Sequence, residues 1–277
     1  MQSLKIKLKE IHPLSEDATL DCFIIDNYEG FSKERKRPGL LIIPGGGYHS
    51  VCDREGEPVG LKFLGHDISV FVLKYKTKDL KYPAQIIQAL VALNVIRKNA
   101  KKWNLDENAI YTMGFSAGGH LCATLGTAYK EEEVLKQLGY TYDDVKVNGM
   151  ILCYPVLTLK EFTHEGSKLN LIGDDQELSE HLSIENRVNS KTPRTFIWYT
   201  YNDDVVPMEN ALIMANALRV NKIPFELHIY EEGPHGLSVS DETSAHDGDD
   251  YYINKDVSSW VNLCANWIKR GTKNKRQ

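Results

Sequence analysis

The stretch "YTMGFSAGGHLCAT", residues 111–124, passes from a short apolar run through glycines and a serine into a segment that reads as a helix. Packing alone would place something larger and apolar where the strand gives way. Gly114-Phe115-Ser116-Ala117-Gly118 instead fits a G-x-S-x-G turn, which holds a serine hydroxyl out at a strand end for attack. Small residues are common in turns, so the pentapeptide needs partners elsewhere in the chain.

Around it, strand-like and helix-like segments alternate. "LKIKLKEI", "ATLDCFII", "PGLLIIPG" and "DISVFVLKY" read as strands, the first as a half-buried one. "PAQIIQALVALNVIRKNAKKW" returns its apolar residues every three or four positions, with Pro83 near its start, and reads as a helix. "NAIYTMG" is a strand, "AGGHLCATLGTAYK" a helix and "VNGMILCYPV" a strand. A mixed region from Leu157 to Thr192 follows. The strand "PRTFIWYT", the helix "PMENALIMANALRVN" and the strand "FELHIYE" come next. The helix "KDVSSWVNLCANWIKR" closes the series, with Val257, Trp260, Val261, Cys264 and Trp267 towards one side. Such alternation predicts a mostly parallel sheet covered on both faces. No helix separates the first two strands, so they are expected to form an antiparallel edge. No linker or repeat interrupts residues 1–277, which predicts one domain. Residues 157–192 are expected as a cap-like excursion above the C-terminal edge of the sheet, where ligands bind in such folds.

The chain has 277 residues, 42% of them hydrophobic, enough for a substantial core. Its formal net charge of -5 offers no general attraction to nucleic acid or to an anionic membrane. The basic end "KRGTKNKRQ" reads as a solvated tail. No stretch approaches membrane-span length, and the start lacks a continuous apolar leader region, so a cytoplasmic location is expected. Five cysteines without metal spacing (Cys22, Cys52, Cys122, Cys153, Cys264) fit free thiols in a reducing compartment. Neither a cofactor nor a metal is expected. An oligomer stays open.

A serine hydroxyl is a weak nucleophile until a base takes its proton, and a carboxylate must hold that base in the right tautomer. His235, in "EEGPHGL", follows the strand "FELHIYE" and sits between Pro234 and Gly236 in a tight loop. His228 lies within the strand and reads as packed or surface; His120, four residues after the serine, reads as a satisfied supporting histidine. "TFIWYTYNDDVVP" supplies Asp203 and Asp204 at another strand end, and composition cannot separate them. The order Ser116, aspartate, His235 is that of the α/β-hydrolases, each residue just past an expected strand. The oxyanion formed on attack needs donors. Ala117 offers its amide at a helix start, and Gly45, Gly46 and Gly47 in "LLIIPGGGYHS" allow close backbone approach. A phosphate cradle is disfavoured, because the run lacks the G-x-x-x-x-G-K-[ST] lysine and the G-x-G-x-x-G spacing in its proper setting.

The stretches "IPGGGYHSVCDREGEPVG", "YPAQIIQALVALNVIR", "GFSAGGHLCA", "CYPVLT", "TPRTFIWYTYNDDVVPMENALIMANAL" and "ELHIYEEGPHGLS" cover about residues 38 to 238. Together they resemble the α/β-hydrolase superfamily, and more closely its carbohydrate-esterase-like branch of acetyl xylan esterases and related esterase/lipase proteins. The resemblance implies a three-layer α/β-hydrolase sandwich with Ser116 as nucleophile, His235 as base and Asp203 as the orienting acid. It implies oxyanion amides at Gly46 and Gly47 beside Ala117. Two departures stand out: Gln88 where the family commonly carries an acid, and Tyr75-Lys76 where it has Tyr-Arg.

The expected activity is hydrolysis of short-chain esters, acetyl esters of carbohydrates foremost, on a small-molecule or oligosaccharide substrate. A general carboxylesterase, a small peptidase and a non-enzymatic binding protein on the same fold are the alternatives. Tyr48 and His49, just after the glycines, are candidate substrate contacts. Arg54, Glu55 and Glu57 in "DREGEP" form a polar, charged approach, or Arg54 and Glu57 pair to brace the oxyanion loop. Phe115 is expected to pack at the elbow. The acidic "SDETSAHDGDD" reads as a solvated loop, since it lacks calcium-loop spacing.

Overall fold

The computed structural model describes residues 1–273. Its strands are β1 (Gln2–Lys7), β2 (Thr19–Ile24), β3 (Arg37–Ile43), β4 (Ser69–Lys74), β5 (Leu105–Phe115), β6 (Gly149–Cys153), β7 (Arg194–Thr200) and β8 (Phe225–Tyr230). They form one sheet in the order β1-β2-β4-β3-β5-β6-β7-β8. β1, β2 and β4 pair antiparallel at one edge, and every pairing from β4 to β8 is parallel. The central strands are buried on both faces, which is why β3, β4 and β6 read as nearly unbroken apolar runs. β1 is a correction. It spans residues 2–7 rather than 4–11 and is mostly exposed, because only one side of it meets another strand.

The helices are α1 (Glu57–Leu64), α2 (Ala84–Lys98), α3 (Ser116–Gly126), α4 (Glu132–Leu138), α5 (Glu165–Leu171), α6 (Gln176–Leu182), α7 (Glu209–Val220), α8 (Lys255–Ser258) and α9 (Trp260–Lys273). α2 is buried along nearly its whole circumference between α3 and the N-terminal turns. α1 and α9 cover the other face of the sheet, where Phe63 meets Trp260 with ring centroids 5.9 Å apart. Val257, Trp260, Val261, Cys264 and Trp267 are all buried there. The basic end is partly helical: Arg270 bonds Glu226 at 2.6 Å, so only residues 274–277 of that expected tail lie outside the described residues.

The chain leaves β3 for β4 on one side and later returns through α2 to β5 on the other. The strand order therefore reverses between β3 and β5, and a crevice opens outside their carboxyl ends. The loop after β3 and the start of α3 face each other across it. Among the described residues no helix is long and apolar enough to cross a membrane.

Candidate active site

Ser116 occupies the junction of β5 and α3 with φ 51°, a left-handed conformation that a non-glycine residue adopts at a cost of roughly 1–3 kcal/mol. The strain persists because small neighbours let three backbones meet. A Cβ on Gly118 would stand 2.2 Å from the Ile43 carbonyl oxygen, and one on Gly119 would stand 2.4 Å from Pro155 Cβ. Phe115 is buried beneath the turn against Tyr154 and Trp260.

Three side chains converge there. His235 Nε2 lies 2.9 Å from Ser116 Oγ, and His235 Nδ1 lies 2.7 Å from Asp203 Oδ2. The other carboxylate oxygen of Asp203 accepts the amides of Val205 and Val206 at 3.0 and 2.9 Å. Oδ2 is thus left for the ring, whose Nδ1–H it accepts, and Nε2 accepts from the serine. Asp204, one residue on, is exposed. The short loop that carries His235 is pinned to β7 by Thr200, whose hydroxyl donates to the Gly233 carbonyl at 2.8 Å.

The loop after β3 lies against the serine: a Cβ on Gly45 would sit 3.0 Å from Ser116 Cβ. Gly46 has φ +121°, and a side chain there would meet the Ser50 carbonyl at 2.3 Å. Among the described residues no acceptor takes the Gly46 or Gly47 amide. Ala117 lies in the first turn of α3, where helical amides have no intrahelical acceptor. These groups are available to an oxygen bound at the serine.

Glu55, expected as part of a polar approach, is instead buried under this loop. It accepts the Gly45 amide at 2.7 Å and the Tyr154 hydroxyl at 2.7 Å. The Tyr154 ring in turn packs edge-on against His235, centroids 5.0 Å apart. Burial raises the Glu55 pKa, opposed by the hydrogen bonds from Tyr154 and Gly45. The expected Arg54–Glu57 pair is absent among the described residues. Arg54 instead donates to the carbonyls of Ser244 and Gly236 and lies over the Tyr252 ring.

Tyr48 is corrected as a substrate contact. With φ 57° its backbone turns the ring inward; the side chain is 2% exposed, and its hydroxyl lies 2.8 Å from His120 Nδ1. His120 Nε2 donates to the Leu182 carbonyl at 2.8 Å, so both nitrogens are satisfied. Burial lowers its pKa to about 4, which keeps the ring neutral. His49 is exposed on the turn, where its carbonyl accepts the Thr77 hydroxyl. His228 lies half-buried beside Glu226 and Phe196, away from the serine.

The two departures from the family pattern touch each other, since Gln88 Oε1 accepts the Lys76 amide at 2.7 Å. The region 157–192 carries α5 and α6 and is tied to the glycine loop after β3. Asn170 Nδ2 donates to the Gly47 carbonyl at 2.8 Å, and the Tyr82 amide donates to the Leu171 carbonyl at 2.9 Å. His164, at the start of α5, borders the same loop; a Cβ on Gly47 would stand 3.9 Å from its Cε1. Nothing in the local sequence marked His164, because its place depends on how the excursion folds back.

Comparison with known proteins gives a consistent set of relatives. The BD-FAE family model matches residues 25–218. The chain is 40% identical over 218 residues to endo-1,4-beta-xylanase B of Butyrivibrio fibrisolvens, covering 75% of this chain and 33% of that protein. It is 28% identical over 258 residues to the acetylxylan esterase of Xylanibacter ruminicola, covering 90% of this chain and 49% of that protein. The chain therefore spans between a third and a half of these relatives' lengths. The crystal structure of an acetyl ester-xyloside bifunctional hydrolase from Caldicellulosiruptor lactoaceticus superposes with a TM-score of 0.82 at 35% identity, covering 96% of both chains. With an eight-stranded mixed sheet of this order and a family match across most of its length, the chain belongs to the BD-FAE family, among the esterases and hydrolases of the α/β-hydrolase fold.

Proposed function

We propose that this protein is a serine esterase that removes short acyl groups, acetyl foremost, from carbohydrate hydroxyls through an acyl-enzyme at Ser116. The observation that carries the reading is the hydrogen-bonded line from Ser116 Oγ through His235 to Asp203. In the first step His235 Nε2 takes the serine proton as Oγ adds to the ester carbonyl carbon. The amides of Gly46, Gly47 and Ala117 receive the developing oxyanion. The imidazolium, held by the Asp203 carboxylate, then gives its proton to the departing alcohol oxygen. An acyl-serine is left, and His235 next deprotonates the water that releases the acid. Asp203 keeps its charge throughout and fixes the ring.

The substrate class draws its support from relatives named for acetylxylan and acetyl ester-xyloside hydrolysis. The excursion, tied to the glycine loop after β3, adds a wall to the cleft. Ser116→Ala should fold as the parent does and lose about 10,000-fold or more in turnover of p-nitrophenyl acetate. An acyl series from acetate to octanoate, run beside acetylated xylo-oligosaccharides, tests the substrate. Rates should fall steeply beyond propionate, with acetate released from the sugar. An unimpaired Ser116→Ala protein would refute the acyl-enzyme, and an octanoate preference without acetate release would refute the sugar assignment.

A further inference from the structure

His164 is the N-cap of α5: its Nδ1 accepts the Ser167 amide at 3.2 Å and lies 2.8 Å from the Ser167 hydroxyl. A ring nitrogen that accepts an N–H carries no proton in the neutral imidazole, so the proton sits on Nε2. Burial first, and then the neighbouring His235, lower the His164 pKa against the opposing pull of Asp203 and Glu165, which favours that neutral form. Among the described residues Nε2 has no acceptor. Capping accounts for Nδ1 alone, and serine, aspartate or asparagine would cap as well. What histidine adds is a donor of fixed orientation on the far side of the ring.

The ring that carries this donor lies beside the candidate site. The ring borders Gly47 of the oxyanion loop and lies within electrostatic reach of both His235 and Asp203. The alcohol oxygen that leaves the ester must come within reach of His235 Nε2, which protonates it. The part of the cleft shared by His235 and the oxyanion loop therefore holds the alcohol half of the substrate. We propose that His164 is a specificity-determining residue whose Nε2–H donates to an oxygen borne on the alcohol half of the ester, a hydroxyl or ring oxygen of a polyol or sugar. Alcohols without that oxygen leave the donor unpaired in the filled cleft and are cleaved less efficiently.

The inference rests on the esterase reading, and its test uses simple esters so that the two can fail separately. The parent should prefer glycerol monoacetate to propyl acetate in kcat/KM by about 10-fold, the size of one well-placed hydrogen bond. His164→Asn keeps a capping side chain but cannot reach the Nε2 position. It should unfold at the parent's temperature while this preference collapses to about twofold or less. His164→Gln, which carries an amide donor on a longer stem, should keep part of the preference. An intact preference in His164→Asn, or an equal loss on both esters, overturns the assignment. Failure on acetylated xylo-oligosaccharides with the glycerol preference intact would overturn the sugar substrate alone. A parent inert towards both esters overturns the two together.

Discussion

At the scale of single residues, the site depends on which of two adjacent aspartates meets the histidine. Asp203 is buried with one oxygen occupied by two amides, whereas Asp204 is exposed and bonds no site residue among those described. Asp203→Asn should lower kcat on p-nitrophenyl acetate by about 10,000-fold, because an amide can hold the ring in the wrong tautomer and cannot stabilise the imidazolium. Asp204→Asn should stay within about twofold of the parent, as surface changes usually do. Equal losses in the two variants would show that the carboxylate acts otherwise. The pair D-D was visible in the sequence, but burial was not, and only the resemblance favoured the first of them. The meeting of Ser116 with His235 was legible because each needs special backbone beside a strand end, which glycine and proline advertise. Tyr48 was misread for the opposite reason. Its proximity to the glycines suggested the cleft, while the buried nitrogen of His120 that claims its hydroxyl lies 72 residues away.

At the scale of elements, the longer helices α2, α7 and α9 announced themselves through apolar spacing, and the parallel strands through uninterrupted apolar runs. α1 and α4–α6 have only seven or eight residues, too few turns for a period to stand out. Their order comes from tertiary ties instead. The clearest is the end of the excursion, where Arg187 donates to Glu131 at 2.6 Å and to the Thr127 hydroxyl at 2.8 Å. Glu131 also accepts the Tyr82 hydroxyl at 2.7 Å, so one carboxylate joins the approaches to α2 and α4 to the excursion. Burial alone would raise the Glu131 pKa, but His181, Arg187 and Tyr82 outweigh it and hold the value down to about 2. A carboxylate depressed in the folded state contributes stability that is complete above its ordinary value. That contribution is lost as pH falls from about 4.5 towards about 2. Glu131→Gln leaves the Arg187 charge buried and should cost about 3 kcal/mol near neutrality. The gap between parent and variant in urea-unfolding free energy should shrink as pH drops from about 5 to about 3. A gap that stays constant or grows on acidification would contradict this account of the tie.

At the scale of the whole molecule, the side chains that meet at the site come from chain positions up to 119 residues apart, and the core beneath them sets their spacing. α9 covers the sheet with its apolar side and also reaches the loop that carries His235. Trp260 is fully buried, stacked on Trp198 with centroids 5.3 Å apart and edge-on to Phe115 under Ser116. Its indole N–H donates to the Ser238 carbonyl at 2.9 Å, three residues past His235. Ser238 in turn donates its amide to Tyr154 and its hydroxyl to the Arg54 carbonyl, so this one residue joins the His235 loop to the Glu55–Tyr154 brace of the glycine loop after β3. Two substitutions separate packing from positioning. Trp260→Ala removes a large buried ring and should cost about 3–5 kcal/mol, enough to lower the melting temperature by many degrees. Trp260→Phe retains an aromatic in the stack but leaves the Ser238 carbonyl without its donor, a loss of about 1–3 kcal/mol. If the bond holds His235 in place, Trp260→Phe should lower kcat with little change in KM, since the displaced base acts in the transition state more than in binding. Melting curves and steady-state kinetics on p-nitrophenyl acetate read both effects. A Trp260→Phe protein with lowered stability and the parent's kcat would leave α9 a packing element alone, with the base loop held by Ser238's other two bonds.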